Sequence, residues 1–379
     1  MSNDSSSSNG IGNNGISKNQ SLWSPAVAAL EPYVPGEQPA DTDLVKLNTN
    51  ENPYPPSAQA LAAISAAADG QLRLYPDPES GKLKQVIAEY FNLDSDNVFL
   101  GNGSDEVLAH AFNAFFRQQS PILFPDLTYS FYPVYCQLYG IDFEKIPLNE
   151  KFEINVDDYS RINGGIIFPN PNAPTAVGLA RASIIRLLEK NPSSVVIVDE
   201  AYVDFTDGGT DDDDIGSVID LIPRFENLLV VHTLSKSRSF AGMRVGYALG
   251  SAHLIDALQR VKNSFNSYPI DRLAEVAAIA SFADDDYFKA TNQRVINNRQ
   301  QLVESLTAMG FQALPSQANF VLARHQQQSA KGLFEQLRQH KVIVRYFDTP
   351  RIADYLRISV GDEEQNQRLL EALSAILNA

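Results

Sequence analysis

Cysteine is nearly missing from this chain of 379 residues: Cys136 stands alone, so neither an intrachain disulfide nor a cysteine-based zinc cluster can form. Basic residues are also short, 30 Lys and Arg against 46 Asp and Glu, for a formal net charge of −16. That balance argues against nonspecific attraction to DNA or anionic lipid, both of which need a basic surface. No apolar run approaches the roughly 20 residues that span a bilayer. The segment Met1–Gly10 lacks the basic and apolar regions of a signal peptide. The expectation is a cytoplasmic protein with no nucleic-acid or membrane partner. The five histidines, at 110, 232, 253, 325 and 340, show no metal-ligand spacing, so no metal is expected.

What is present is enough apolar material, 44% of the chain, to bury a large core divided between a major and a minor domain. Residues 1–20 are rich in Ser, Asn and Gly and read as a disordered tail. Residues 21–50 read as an N-terminal arm whose first ordered turn lies in Trp23–Leu30. The large domain is expected at 51–270, with strands and helices alternating from about residue 80 to 270, which predicts an α/β fold with a mainly parallel central sheet covered by helices. The segment 207–214 interrupts it as a solvated acidic loop. The smaller α/β C-terminal domain, 271–379, opens with a long helix through about Met309. It continues with a strand at Ala318–Leu322, a helix near 330–340, and strands at Val342–Arg345 and Leu356–Val360.

Four segments stand out, each at a predicted strand end, where open α/β sheets bind ligands. Lys236 follows the apolar run Leu228–Leu234, with Arg244 eight residues on. A lysine beside a cation can form a Schiff base with an aldehyde cofactor. Asp199 ends the β-branched run Ser193–Val198, where a carboxylate can pair with a protonated pyridine nitrogen. Gly164–Phe168 breaks into the rigid loop Pro169-Asn-Pro-Asn-Ala-Pro-Thr175, able to hold an amide against a cofactor. Gly101-Asn-Gly-Ser-Asp-Glu106 opens a helix whose free N–H groups suit a phosphate, although it is neither a P-loop nor a dinucleotide fingerprint. Taken singly these are an ordinary surface lysine, an N-cap aspartate, a proline-rich turn and a capped helix; their order makes coincidence a poor explanation.

With Leu47-Asn-Thr-Asn-Glu-Asn-Pro-Tyr54, Tyr75-Pro-Asp77, Thr233-Leu-Ser-Lys236, Ala241-Gly-Met-Arg-Val-Gly-Tyr247 and Leu356-Arg-Ile-Ser-Val-Gly361 added, the chain resembles the fold-type I pyridoxal-phosphate aminotransferases over roughly residues 45–379. Within them it is similar to the histidinol-phosphate aminotransferases. The resemblance implies pyridoxal 5'-phosphate carried on Lys236, which also moves the proton at the substrate's α-carbon. It implies Asp199 on the pyridine nitrogen, Tyr202 on the phenolic oxygen and Tyr129 against the ring face. Gly103, Ser104, Asp105, Thr233, Ser235 and Arg244 would hold the phosphate, joined by Tyr75 from the partner subunit of a homodimer. One departure is Ala173, standing where the family has an asparagine before Pro-Thr-Gly. Asn172 is then the residue expected to offer the amide, and losing that bond would shift an acidity rather than abolish chemistry.

The same resemblance implies that Arg357 grips the anionic group of the substrate, with Arg345 and Tyr33 as its phosphate-binding companions. The implied substrates are histidinol phosphate and 2-oxoglutarate or glutamate, exchanged in a ping-pong cycle of histidine biosynthesis. An aromatic amino-acid aminotransferase and a threonine-phosphate decarboxylase of the same lineage remain open. So does a non-catalytic effector-binding domain of a DNA-binding regulator, although the first 45 residues are short and acidic for such a module.

Overall fold

Apolar runs become strands wherever both of their faces are covered. The computed structural model describes residues 22–39, 43–208, 211 and 213–378. The expected disordered tail, 1–20, lies outside them, as does part of the acidic loop. The first ordered turn is the short helix Pro25–Ala28. The strands, in chain order, are β1 (Val45–Lys46), β2 (Val98–Asn102), β3 (Ile122–Pro125), β4 (Phe143–Ile146), β5 (Ile166–Pro169), β6 (Val196–Asp199) and β7 (Leu228–Thr233). Then come β8 (Val245–Gly250), β9 (Phe311–Ala313), β10 (Phe320–His325), β11 (Val342–Ile343), β12 (Arg345–Tyr346) and β13 (Leu356–Ser359).

The large sheet has seven strands in the order β2-β8-β7-β6-β5-β3-β4. Its neighbours from β4 to β7 pair in parallel, whereas β8 runs antiparallel to both β7 and β2. Every residue of β5, β6 and β7 is buried, which is why these strands read as continuous apolar runs rather than alternating ones. The period of two still sorts them: Phe168, Val196, Val198 and Val230 enter the core on one face, and Ile167, Ile197, Leu229 and Val231 the core on the other. The crossover helix Arg181–Lys190 covers the first face with Ile184, Leu187 and Leu188.

Register brings the strand ends together. Pro169 is paired with Asp199 and Asp199 with Val231, so β5, β6 and β7 release their loops along one edge. β2 points the same way and ends at Asn102, opposite Val245, placing the start of helix Gly103–Phe115 on that edge too.

The second sheet, β12-β13-β10-β9, is antiparallel and packs with helices Asp285–Ala308, Ala330–Gln339 and Glu363–Leu377 around its own core. Two features depart from the expected division. Helix Arg272–Ala283 puts Ala274, Ala277, Ala278 and Phe282 into the large-sheet core, so the chain turns to the smaller unit at Asp284. Asp284 ends that helix and begins the next, a break that periodicity alone does not reveal. The arm is not separate either, because β1 pairs in parallel with β11, Val45 opposite Val342.

Candidate active site

Lys236 lies in the turn between β7 and β8, at the edge where the parallel strands end. It lines two adjoining cavities. One of about 120 Å³ is bounded by Ser104, Asp105, Asp199, Thr233, Ser235 and Arg244. The other, of about 490 Å³, reaches Tyr33, Arg345 and Arg357. Tyr129, Ala173 and Tyr202 line both cavities with Lys236.

At one end of the smaller cavity, helix Gly103–Phe115 begins without a side-chain cap, leaving first-turn N–H groups free. Gly103 has φ 78, and a Cβ there would stand 2.4 Å from Nη2 of Arg244. Glycine thus lets the guanidinium lie against the helix start. Arg244 itself adopts left-handed backbone (φ 54) and donates to Asp105 Oδ2 at 3.1 Å. Asp105 Oδ1 accepts from the Tyr129 hydroxyl at 2.9 Å, fixing that ring. Burial, then the charge of Asp105, pushes the Tyr129 phenol well above its ordinary range.

At the other end, Asp199 is buried as the last residue of β6. Its Oδ2 accepts from Tyr132 at 3.0 Å and its Oδ1 from the Ala201 N–H at 3.2 Å. Burial raises its pKa from the ordinary 3.8 to about 6, against the lowering effect of those two hydrogen bonds. A cation placed beside it would reverse that rise.

The larger cavity owes its charge to the small sheet, where Arg345 on β12 is directly paired with Arg357 on β13. Both guanidinium groups lie over the Phe347 ring, at 5.3 and 5.4 Å from its centroid. Burial lowers the Arg357 pKa, with Arg345 adding to the effect, and its Nε is buried without a partner.

One side chain expected in its own chain's site is not brought in. Asn172 lines neither cavity: its Nδ2 donates to Leu127 O at 3.0 Å and Thr175 Oγ1 at 2.9 Å, because the loop folds back on itself. Tyr75 lies away from both cavities of its own chain, 80% exposed and stacked on Tyr268 at 4.8 Å.

The family model for aminotransferase class I and II matches residues 42–373. The chain belongs to this family. Among curated class members it is 58% identical to histidinol-phosphate aminotransferase 1 of Pseudomonas fluorescens, over 94% of this chain and 99% of that one. It is 57% identical to the histidinol-phosphate aminotransferase of Acinetobacter baumannii, over 93% of this chain and 96% of that one. Its fold matches the crystal structure of histidinol-phosphate aminotransferase from Sinorhizobium meliloti in complex with pyridoxal-5'-phosphate. There the TM-score is 0.84 and the identity 22%, over 94% of this chain and 98% of that one.

The donor set of this aminotransferase fits the cofactor that the sequence implies. The Ser235 hydroxyl is buried without a partner beside the uncapped helix start, as a phosphate acceptor would require. A buried carboxylate, an amine and a flat phenol ring complete the set. Among the described residues no group of His, Cys, Asp and Glu is placed to hold a metal, and no helix is long and apolar enough to cross a membrane.

The residues that sequence reasoning missed lie in the segment 47–52. Asn48 O accepts from Arg357 at 2.7 Å, Thr49 O accepts from Lys236 Nζ at 3.2 Å, and Asn50 Nδ2 donates to the Tyr202 hydroxyl at 3.1 Å. Asn52 Nδ2 donates to Lys236 O at 3.0 Å. This stretch belongs to a recognisable motif, but its roles depend on pairings across the fold. Tyr132, the partner of Asp199, gave no signal beyond its apolar surroundings.

Proposed function

We propose that the chain binds pyridoxal 5'-phosphate on Lys236 and transfers the amino group of L-histidinol phosphate to 2-oxoglutarate. The products are imidazole acetol phosphate and glutamate, in histidine biosynthesis. One observation carries the reading: Lys236 and the Arg345–Arg357 pair line a single cavity, so an amine nucleophile faces two side-by-side guanidinium groups. Such a fork suits a phosphate better than one arginine does. The relatives at 58% and 57% identity over nearly the whole chain support this choice.

When bound, the cofactor supplies an electron sink for the carbanion left at the substrate's α-carbon. Asp199 holds a proton on the pyridine nitrogen as its ionised partner, the cation that its buried carboxyl otherwise lacks. Tyr129, fixed by Asp105, presents a flat face. The N–H groups of Gly103, Ser104 and Asp105, the hydroxyls of Thr233 and Ser235, and Arg244 bind the phosphate. Arg357, Arg345 and Tyr33 bind the substrate's anionic end and set the distance to Lys236. The Lys236 amine would then take the proton from the α-carbon and return it two atoms away, to the carbon on the far side of the transferred nitrogen. Arg357 also receives the carboxylate of glutamate in the second half of the cycle.

Tyr75 belongs to the partner's site in a homodimer. The exposed aromatic pair Tyr75 and Tyr268, with Phe265 nearby in sequence at 77% exposure, is the apolar surface such a dimer would cover. The reaction is that of a cytoplasmic enzyme. The test is the visible spectrum of cofactor-loaded protein as histidinol phosphate is added without keto acid, against phenylalanine and threonine phosphate. Loss of the visible band should be fastest with histidinol phosphate and absent in Lys236→Ala. Preference for phenylalanine or threonine phosphate would overturn the substrate, and no band at all would overturn the enzyme.

A further inference from the structure

Ala173 and Tyr202 stand where the two cavities meet, and each lines both. Ala173 contributes no polar side-chain atom, and the amide of Asn172 is committed within its loop. The Tyr202 hydroxyl is therefore the polar group that this wall presents, and its orientation decides what it can do. A phenol carries one proton and accepts at the same oxygen. Asn50 Nδ2 donates to that oxygen at 3.1 Å, which occupies an accepting position and leaves the phenol proton free to point elsewhere.

The Asn50 amide is not free to flip. Its Oδ1 accepts from Ser359 Oγ at 3.2 Å, and Ser359 Oγ in turn accepts from the Asn50 N–H at 2.9 Å. The Asn50 carbonyl accepts from Asn319 Nδ2 at 3.0 Å. The residue is 2% exposed and sits at φ 55, a left-handed conformation that asparagine tolerates better than most side chains. Main chain and side chain are thus fixed together, with the donor end of the amide toward Tyr202. Ser359 is on the same strand as Arg357, so the strand that presents an anion-binding arginine also holds this amide.

The geometry points to Asn50 as a positioning residue that aims the Tyr202 proton into the cofactor cavity, in place of a direct amide at position 173. The inference rests on the proposed binding of pyridoxal phosphate, whose phenolic oxygen is the acceptor that the Tyr202 proton meets. A donated hydrogen bond favours negative charge on that oxygen and loosens the proton on the nitrogen of the Lys236 linkage beside it. Losing the bond must raise the pH at which that proton leaves.

The experiment titrates the visible absorbance of cofactor-loaded protein against pH with no substrate present, so turnover plays no part. Asn50→Gly removes the amide and accepts φ 55 without strain. Its midpoint should rise by about half to one pH unit, the worth of one hydrogen bond. Adding Ala173→Asn to that variant should bring the midpoint back down. In a Tyr202→Phe chain, Asn50→Gly should move it no further. Asn50→Asp is the second variant, isosteric and suited to the same backbone, whose carboxylate draws the phenol proton toward itself and raises the midpoint at least as far. A midpoint unmoved in both Asn50 variants, or moved equally with and without the Tyr202 hydroxyl, overturns the proposal and leaves Asn50 a purely structural residue. Failure of the unsubstituted protein to take up pyridoxal phosphate would be a different result, overturning the active-site reading and this proposal with it.

Discussion

Replacing Asp199 with asparagine should stabilise the cofactor-free protein while weakening its hold on the cofactor. Burial lifts the carboxyl from 3.8 to about 6, so its charged form is disfavoured in the folded state. A group with a raised folded pKa carries no penalty below its unfolded value and the full penalty above its folded one. Between those limits the shift of about two units amounts to about 3 kcal/mol, reached near pH 8, about half of it present at pH 5 and about a fifth at pH 4. Asparagine keeps the shape and removes the charge. Its oxygen can still accept from Ala201 N–H, and its NH2 can donate to the Tyr132 oxygen. For a chain of this length the gain corresponds to a rise of roughly 4 °C in the unfolding midpoint at pH 8. Calorimetry of cofactor-free Asp199→Asn and unsubstituted protein at pH 4, 5 and 8 measures it. The dissociation constant of pyridoxal phosphate should move the other way, weakening at least about tenfold with the loss of a buried charge pair. An equal gain at pH 4 and pH 8, or no gain at pH 8, would refute the reasoning, since the effect must follow the charge.

Gly103→Ala should cost about 1–2 kcal/mol of stability from its positive φ alone. Its new Cβ, 2.4 Å from Arg244 Nη2, should also displace the guanidinium, so the protein's affinity for pyridoxal phosphate should fall more than its affinity for pyridoxal. Arg345→Ala should raise KM for histidinol phosphate by about tenfold or more, the worth of a charge-assisted hydrogen bond, and leave the glutamate half-reaction close to normal; steady-state kinetics with each substrate varied would show whether the loss is selective. Tyr75→Phe should weaken cofactor binding about fivefold despite the residue's distance from its own chain's cavities, the worth of one hydrogen bond. Unchanged binding in an equilibrium titration would mean that the site is not shared.

Much of the site was legible because its chemistry sits at strand ends, and buried parallel strands announce themselves as apolar runs. Lys236, Asp199 and the helix start at Gly103 could each be placed from the end of such a run. What failed to show was anything whose direction depends on a loop's path. Asn172 and Ala173 are neighbours in sequence, yet only the alanine faces the cavities.

The sequence by itself determined the order of strands and helices, the candidate site residues at their ends and the acidic, disulfide-free character of the chain. These follow from local runs of side chains and from composition. Tertiary structure decided that Arg345 and Arg357 stand paired across two short strands, and that Asn50 reaches Tyr202, 152 residues away. It also decided that Tyr132 closes over Asp199. Those contacts arise where two sheets and the arm between them meet, and the register of distant strands is set by burial summed over the whole core, which no short stretch of sequence contains.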